Sequence, residues 1–266
     1  MLLQEYVDLI QSQGKAAFTS EEALRTMNIS RNELSASVLR LKKKGHLIKP
    51  YQNFYVPLPP EYRSQGCIPA DQLLPPLMKH IDSLYYVCLL SAGVYHGAAH
   101  QRPQITQVMA PKRILPIRCG SVAINFIFKK EMSYATTEIV NVRTGFLTVS
   151  TAETTAMDLL LYINQSGGIN HIATVLTELI ESIDPEKLLQ LVKNSNEIVW
   201  VQRLGFLLEM IDPLNVDCRN KAVELLSNYI DDVKPAYAPM IPGDMQGFAR
   251  NKKWRIVTNA VIESDI

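Results

Sequence analysis

The sequence lacks the long apolar runs and paired cysteines that would place it in a membrane or in an oxidising compartment. No apolar stretch approaches the roughly 20 residues of a membrane span, and no charged-then-apolar leader precedes Glu5. The 4 cysteines of the 266-residue chain lie far apart and form no C-x-x-C pair. Such cysteines are typical of reduced, small buried side chains. We therefore expect a cytoplasmic protein without membrane contact.

The sequence also has little that would support catalysis or metal binding. His96 and His100 are four residues apart, but no H-E-x-x-H motif or third ligand accompanies them. We expect His96 instead to form a hydrogen bond with the backbone. The acidic-lysine run from Asp184 to Lys187 superficially resembles a nuclease motif, yet it fits a capped helix start better. We expect no enzyme activity, no cofactor and no metal.

An N-terminal pattern of three helices and a hairpin is the most informative feature that the sequence does contain. Ser30 and Glu33 are spaced as a capping box, in which each side chain accepts a hydrogen bond from a backbone donor of the first helical turn. The pattern predicts a helix over Leu2–Gln13, a helix capped by Thr19 and ending at Met27, a helix over Ser30–Lys44, and a β-hairpin over Leu47–Val56. These parts, in this order, indicate a winged helix-turn-helix.

The third helix has the two faces that a helix in a DNA major groove needs. Leu34, Val38 and Leu41 recur at helical spacing and predict a buried stripe. The segment from Ser30 to Lys49 holds 6 lysines and arginines against 1 acid. A cationic helix end alone is often only solvated, but the complete pattern favours DNA binding. The residues expected to contact DNA are Arg31, Asn32, Ser35, Arg40, Lys43 and Lys44 on the helix, and Lys49 and Gln52 on the wing.

Charge and proline content suggest where this module ends. Residues 1–56 hold 8 bases and 5 acids, and the rest of the chain holds 19 bases and 21 acids. The nucleic-acid signal therefore lies in the N-terminal module. Prolines cluster after the hairpin, at positions 57, 59, 60, 69, 75 and 76. We expect a DNA-binding domain at 1–58, a proline-rich linker at 59–75 and a second domain at 76–266.

The second domain is predicted to be α+β, with a mixed or antiparallel sheet followed by a block of helices. Ser91 is a candidate cap for a short helix through Ala98. Strands are expected at residues 107–110, 122–128, 139–149 and 254–262, and helices at 152–164, 169–182, 185–193, 198–210 and 218–231.

Four ordered segments, at residues 91–103, 146–159, 167–176 and 202–209, resemble the AbiEi family. Its members are antitoxins of type IV toxin–antitoxin systems that also act as transcriptional repressors. The resemblance implies that the N-terminal domain binds inverted repeats in its own promoter, as double-stranded DNA. It also implies that the C-terminal domain counteracts a co-encoded nucleotidyltransferase-type toxin, without a stable complex, in the setting of phage abortive infection.

The same segments also have structural interpretations. Ser150 or Thr151 can cap the following helix, with Glu153 placed for a capping box with Ser150. Gly205 in mid-helix predicts close packing of another element, and Arg203 is suited to bonding carbonyl groups of two chain segments.

Two other functions remain open at this point. One is a ligand-responsive repressor whose second domain binds a small molecule. The other is a nuclease with a DNA-targeting head, which would need carboxylates and a lysine gathered at one strand end. The neighbouring gene would discriminate among these alternatives.

Overall fold

The computed structural model describes residues 1–98, 103–195 and 197–262. The chain folds into two compact units. The first comprises residues 1–86, 104–130 and 139–148, and the second comprises residues 87–103, 131–138 and 149–266. Both mix helices and strands, so the predicted α+β class is confirmed. Within the described residues no helix combines the length and apolar character needed to cross a bilayer.

The first unit begins with the predicted three helices and hairpin. Its elements are α1 (Leu3–Ser12), β1 (Phe18–Thr19), α2 (Ser20–Met27), α3 (Arg31–Lys43), β2 (Leu47–Tyr51) and β3 (Phe54–Pro57). The strands form an antiparallel sheet in the order β1-β3-β2. Phe18 of the edge strand β1 is buried, with the Tyr6 ring edge-on and the Tyr55 ring stacked, both at centroid distances of 5.3 Å. The winged helix-turn-helix therefore has its own apolar core.

Helix α4 (Ala70–Ile81) begins inside the segment that the sequence predicts to be a linker. Pro75 and Pro76 lie within this helix, whereas we expected them to exclude one. A proline at position 76 leaves the carbonyl of Gln72 without its helical donor, and the Thr144 hydroxyl donates to that carbonyl instead, at 2.7 Å. The fully buried Leu73, Leu74, Leu77 and Met78 hold the helix in place. Packing and one tertiary hydrogen bond thus offset the proline penalty.

A six-stranded sheet follows α4. Its strands are β4 (Tyr86–Val87), β5 (Ile105–Ala110), β6 (Ile117–Cys119), β7 (Val122–Phe128), β8 (Thr137–Val142) and β9 (Gly145–Ser150), in the order β6-β7-β5-β4-β9-β8. Strand β5 pairs with β7 in parallel, and β6 pairs with β7 antiparallel. The single strand predicted at 139–149 is two strands, and β6 was not predicted because three residues show no clear alternation.

The second unit contains the predicted block of helices. Its elements are α5 (Leu89–Gly93), α6 (Ala152–Leu161), α7 (Ile169–Leu179), α8 (Pro185–Asn194), α9 (Val199–Met210), α10 (Val216–Val233), β10 (Ala238–Pro239), β11 (Arg250–Asn251) and β12 (Ile256–Val257). Two predictions are wrong here. Ser91 does not cap a helix, because α5 begins at Leu89 and buries Ser91. The last strand covers only two residues, because Trp254 lies in a turn with its ring fully buried.

The start of α6 is held by a different cap from the predicted Ser150 box. Thr151 caps the helix by accepting from the Thr154 amide, while the Ser150 hydroxyl bonds to the Thr155 hydroxyl at 2.7 Å. The buried Glu153 carboxylate accepts from the Asp184 amide at 2.8 Å. The Glu153 carboxylate thus accepts from the distant Asp184 amide and not from the Ser150 amide of a local capping box.

Helix α9 packs as closely as its central glycine suggests. A Cβ on Gly205 would lie 2.0 Å from the Trp254 ring. Arg203, two residues earlier, donates from Nη1 to the Leu160 carbonyl at 2.9 Å and from Nη2 to the Pro239 carbonyl at 3.1 Å. Both predictions for α9, close packing at Gly205 and carbonyl bonding by Arg203, are confirmed.

Gly205→Ala should therefore destabilise the second unit, although alanine normally favours a helix. Overpacking costs about 1–3 kcal/mol, and chemical denaturation would measure the lost free energy of unfolding. The control is the same substitution in a Trp254→Ala background. There the clash is gone, and Gly205→Ala should become neutral or stabilising by about 1 kcal/mol. An equal cost in both backgrounds would contradict this account of the glycine.

Candidate nucleic-acid interface

Helix α3 exposes the face that the sequence predicts for DNA. Ser30 accepts from the Glu33 amide at 3.3 Å, and the Glu33 carboxylate accepts from the Ser30 amide at 2.8 Å, which confirms the capping box. Leu34, Val38 and Leu41 are buried, and this orientation turns the opposite side outward. All six helix residues predicted to contact DNA are exposed: Arg31, Asn32, Ser35, Arg40, Lys43 and Lys44.

The charges on this face are free of acidic partners. Arg31, Lys43 and Lys44 form no ion pair with any residue that the structure describes, and Arg40 donates only to the Ser37 hydroxyl, at 3.0 Å. The single acid of the helix, Glu33, is engaged at the N-cap, where hydrogen bonds from Ser30 hold the pKa of its carboxyl below the ordinary value. The outer face of α3 therefore carries cationic side chains at both of its ends.

The wing is anchored through its backbone. The Asn53 carbonyl accepts from the Ser20 amide at 3.0 Å, and the Gln52 carbonyl lies 3.0 Å from Nε2 of His80 in α4. Lys49 is exposed, with its ammonium 5.8 Å from the centre of the Tyr55 ring. The wing tip is thus fixed to α2 and α4, while the side chains of Lys49 and Gln52 remain exposed.

A groove of about 640 Å³ lies between the start of α3 and the wing. Arg31 and Ser35 line it from the helix, and Lys49 lines it from β2. The structure therefore brings together three of the eight predicted residues. Lys43 and Lys44 lie at the opposite end of α3, so the predicted residues extend along the whole helix.

The two units differ in formal charge far more than residues 1–56 differ from the rest of the chain. The first unit has 16 lysines and arginines against 8 acids, a formal charge of +8, and the second has 11 against 18, a charge of −7. Residues 104–130 contribute 5 bases and no acid to the first unit. A comparison of residues 1–56 with the rest of the chain does not show this contribution, because residues 104–130 are distant from the winged helix in sequence. A positive unit of this size attracts polyanions.

The structure assigns the histidine and the acidic-lysine run to structural roles. Nε2 of His96 lies 2.7 Å from the Ser150 carbonyl, which confirms the predicted backbone bond, and His100 lies outside the described residues. Asp184 accepts from the amides of Glu186 and Lys187 as a helix cap, as predicted. Among the described residues, no three His, Cys, Asp or Glu side chains are grouped so as to hold a metal ion.

Comparison with known proteins identifies the segment that spans α5 to α9. Residues 85–210 match the family described as the AbiEi antitoxin C-terminal domain. The resemblance to the AbiEi family is thus confirmed over residues 85–210. All four segments that carry the sequence resemblance lie inside this AbiEi domain. Among its described residues, eleven polar or charged ones are buried, including Glu153, Thr154, Thr155, Asp158, Gln202 and Arg203. Several polar residues of the AbiEi domain therefore lie in its interior.

The fold is shared with a protein of known structure. The crystal structure of the RV2827C protein from Mycobacterium tuberculosis matches with a TM-score of 0.64 and 15% sequence identity, covering 95% of this chain and 89% of that chain. At this identity the likeness shows the fold alone. No curated protein matches the sequence.

Two cysteines of the first unit lie side by side near the C-terminal end of α3. The Cys67 thiol donates a hydrogen bond to Cys119, which lowers the pKa of Cys119 and raises that of Cys67. The ammonium of Lys42, in the last turn of α3, also lowers the pKa of Cys119. Cys119 is partly exposed, whereas Cys67 is buried. Cys119 is therefore the more reactive thiol of the pair.

Iodoacetamide should accordingly alkylate Cys119 before the other cysteines. A lowered pKa gives Cys119 more thiolate at neutral pH, and this advantage should shrink as the pH rises above the ordinary thiol pKa. Lys42→Ala should slow the reaction, which mass spectrometry of timed samples would measure. Cys218 is the internal reference, because burial and then Asp184 raise its pKa. Faster labelling of Cys218 than of Cys119 would contradict the arrangement.

Proposed function

We propose that this protein is a DNA-binding antitoxin that represses its own operon. The observation that carries the DNA-binding part is the exposed basic face of α3, within a unit of formal charge +8. On this proposal α3 lies in the major groove of inverted repeats in the promoter, and its first turn, with Arg31, Asn32 and Ser35, reaches base edges. Arg40, Lys43, Lys44, Lys49 and Gln52 contact phosphates on either side.

The antitoxin part is supported by the AbiEi domain at residues 85–210. We propose that this domain counteracts a co-encoded nucleotidyltransferase-type toxin in the cytoplasm, without catalysis, cofactor or stable complex. The helices of this domain lie in the second unit, whose charge of −7 makes it an unfavourable binder of nucleic acid.

The DNA-binding proposal is tested by replacing Arg40 and Lys43 with alanine in the full chain. Each lost phosphate contact lowers the slope of log affinity against log salt by about 0.9, so the slope should fall by up to about two. The measurement is fluorescence anisotropy with a duplex from its own promoter. The matched control is Lys79→Ala with Arg143→Ala, which removes the same charge from α4 and from an arginine already paired with Glu61 at 2.9 Å. A folded Arg40/Lys43 variant with unchanged affinity and slope would contradict the proposal.

The same double variant should separate the two roles in cells. It should lose repression of a promoter reporter, because DNA contacts are lost, yet still restore growth when co-expressed with the toxin from the adjacent gene. Wild type and the Lys79/Arg143 variant should do both. Loss of protection along with repression, in a variant that accumulates normally, would show that the antitoxin role depends on DNA binding.

A further inference from the structure

Of the five bases at residues 104–130, three are held by contacts within the first unit. Lys112 donates to the carbonyls at the end of α4, including Ile81 at 3.1 Å. The Arg113 guanidinium lies 4.9 Å from the centre of the Phe128 ring, and the buried Lys129 donates to the Tyr86 hydroxyl at 3.2 Å. Arg118 differs from these three. It is exposed, and among the described residues it forms no hydrogen bond or ion pair.

Arg118 lies at the centre of the edge strand β6, which is packed against strand β2 of the wing. It pairs with Ala123 of β7, and its neighbour Ile117 points into the core. The next residue, Cys119, is close enough to Lys42 for the ammonium to lower its pKa. Strand β6, which carries Arg118, is therefore close to the cationic end of α3 and to the wing, although it is remote from both in sequence.

The backbone that carries Arg118 is tightly held. The Ser121 amide donates to the Gln65 carbonyl at 2.8 Å. A Cβ on Gly120 would lie only 2.1 Å from that same carbonyl oxygen, so the two segments touch without room for a side chain. Strand β6 thus has a fixed position beside the winged helix. An arginine on a rigid support loses less entropy when it binds a phosphate than one on a free loop.

We propose that Arg118 contacts the DNA backbone beside the helix α3 site, so that the DNA-binding surface extends from the winged helix onto the edge of the six-stranded sheet. This inference rests on the proposed DNA binding. Charge complementarity selects the ligand, since residues 104–130 contain no acid and a guanidinium pairs with a phosphodiester through two hydrogen bonds. A phosphate contact adds affinity for every sequence and no base preference.

A charged residue on an edge strand has another ordinary use, which is to prevent pairing with a second sheet. The two roles predict different results for Arg118→Ala. Loss of a phosphate contact lowers DNA affinity and its salt dependence in a monodisperse protein. If Arg118 instead prevents sheet pairing, its loss makes the protein self-associate and leaves the salt dependence of DNA binding unchanged.

The experiment compares full-length wild type, Arg118→Ala, Arg118→Lys and Arg143→Ala by anisotropy from low to moderate salt, with a duplex from its own promoter and an unrelated duplex of equal length. Arg118→Ala should reduce the slope of log affinity against log salt by about 0.9, equally on both duplexes. Arg118→Lys should restore the slope, because it keeps the charge. Arg143→Ala should behave as wild type, because Glu61 already neutralises that arginine.

The outcomes distinguish failure of the Arg118 proposal from failure of the proposed DNA binding by α3. If the Arg40/Lys43 variant loses affinity and Arg118→Ala does not, the inference is overturned and the function stands. Equal effects of Arg118→Ala and Arg143→Ala, or an association seen by size-exclusion chromatography with an unchanged slope, also overturn it. If Arg118→Ala alone lowers the slope, β6 binds DNA and the role assigned to α3 fails. If neither variant has an effect, both proposals fail.

Discussion

The reciprocal bond between Ser30 and Glu33 sets the properties of the candidate interface. It begins α3 at one defined residue, and the buried stripe that follows it then determines which side of the helix is exposed. It also holds the only acid of α3 at the N-cap, so the outer face carries cations alone.

The distribution of charge follows the fold and not the order of the sequence. Residues 104–130 join the N-terminal helices in the first unit, so their five bases add to the charge of the winged helix. The chain as a whole carries only +1, and this small sum hides two large and opposite charges. Solubility depends on the total, whereas attraction to a polyanion depends on the local field around the positive unit.

Several polar residues of the AbiEi domain and its central glycine have structural roles in the interior. Glu153 accepts from the backbone at the start of α8, Arg203 bonds two carbonyls, and Gly205 leaves space for the Trp254 ring. Burial of a charged group costs free energy unless hydrogen bonds compensate it, and Glu153 and Arg203 have such bonds. The resemblance of these segments to the family therefore reflects packing constraints as well as function.

The sequence by itself determined the capped helices α2, α3 and α8, the amphipathic stripe of α3 and the hairpin. It also indicated the α+β class and the interior role of Arg203. Each depends on residues within a few positions of one another or on burial of a conspicuous side chain. Tertiary structure decided the rest. Gln72 and Thr144 allowed a helix through two prolines, Asp184 drew Glu153 away from its local cap, and Trp254 left the predicted strand to fill the space at Gly205. Arg118 came to lie beside the wing because hydrogen bonds and packing between distant segments contribute free energies as large as local propensities, and no spacing in the sequence encodes them.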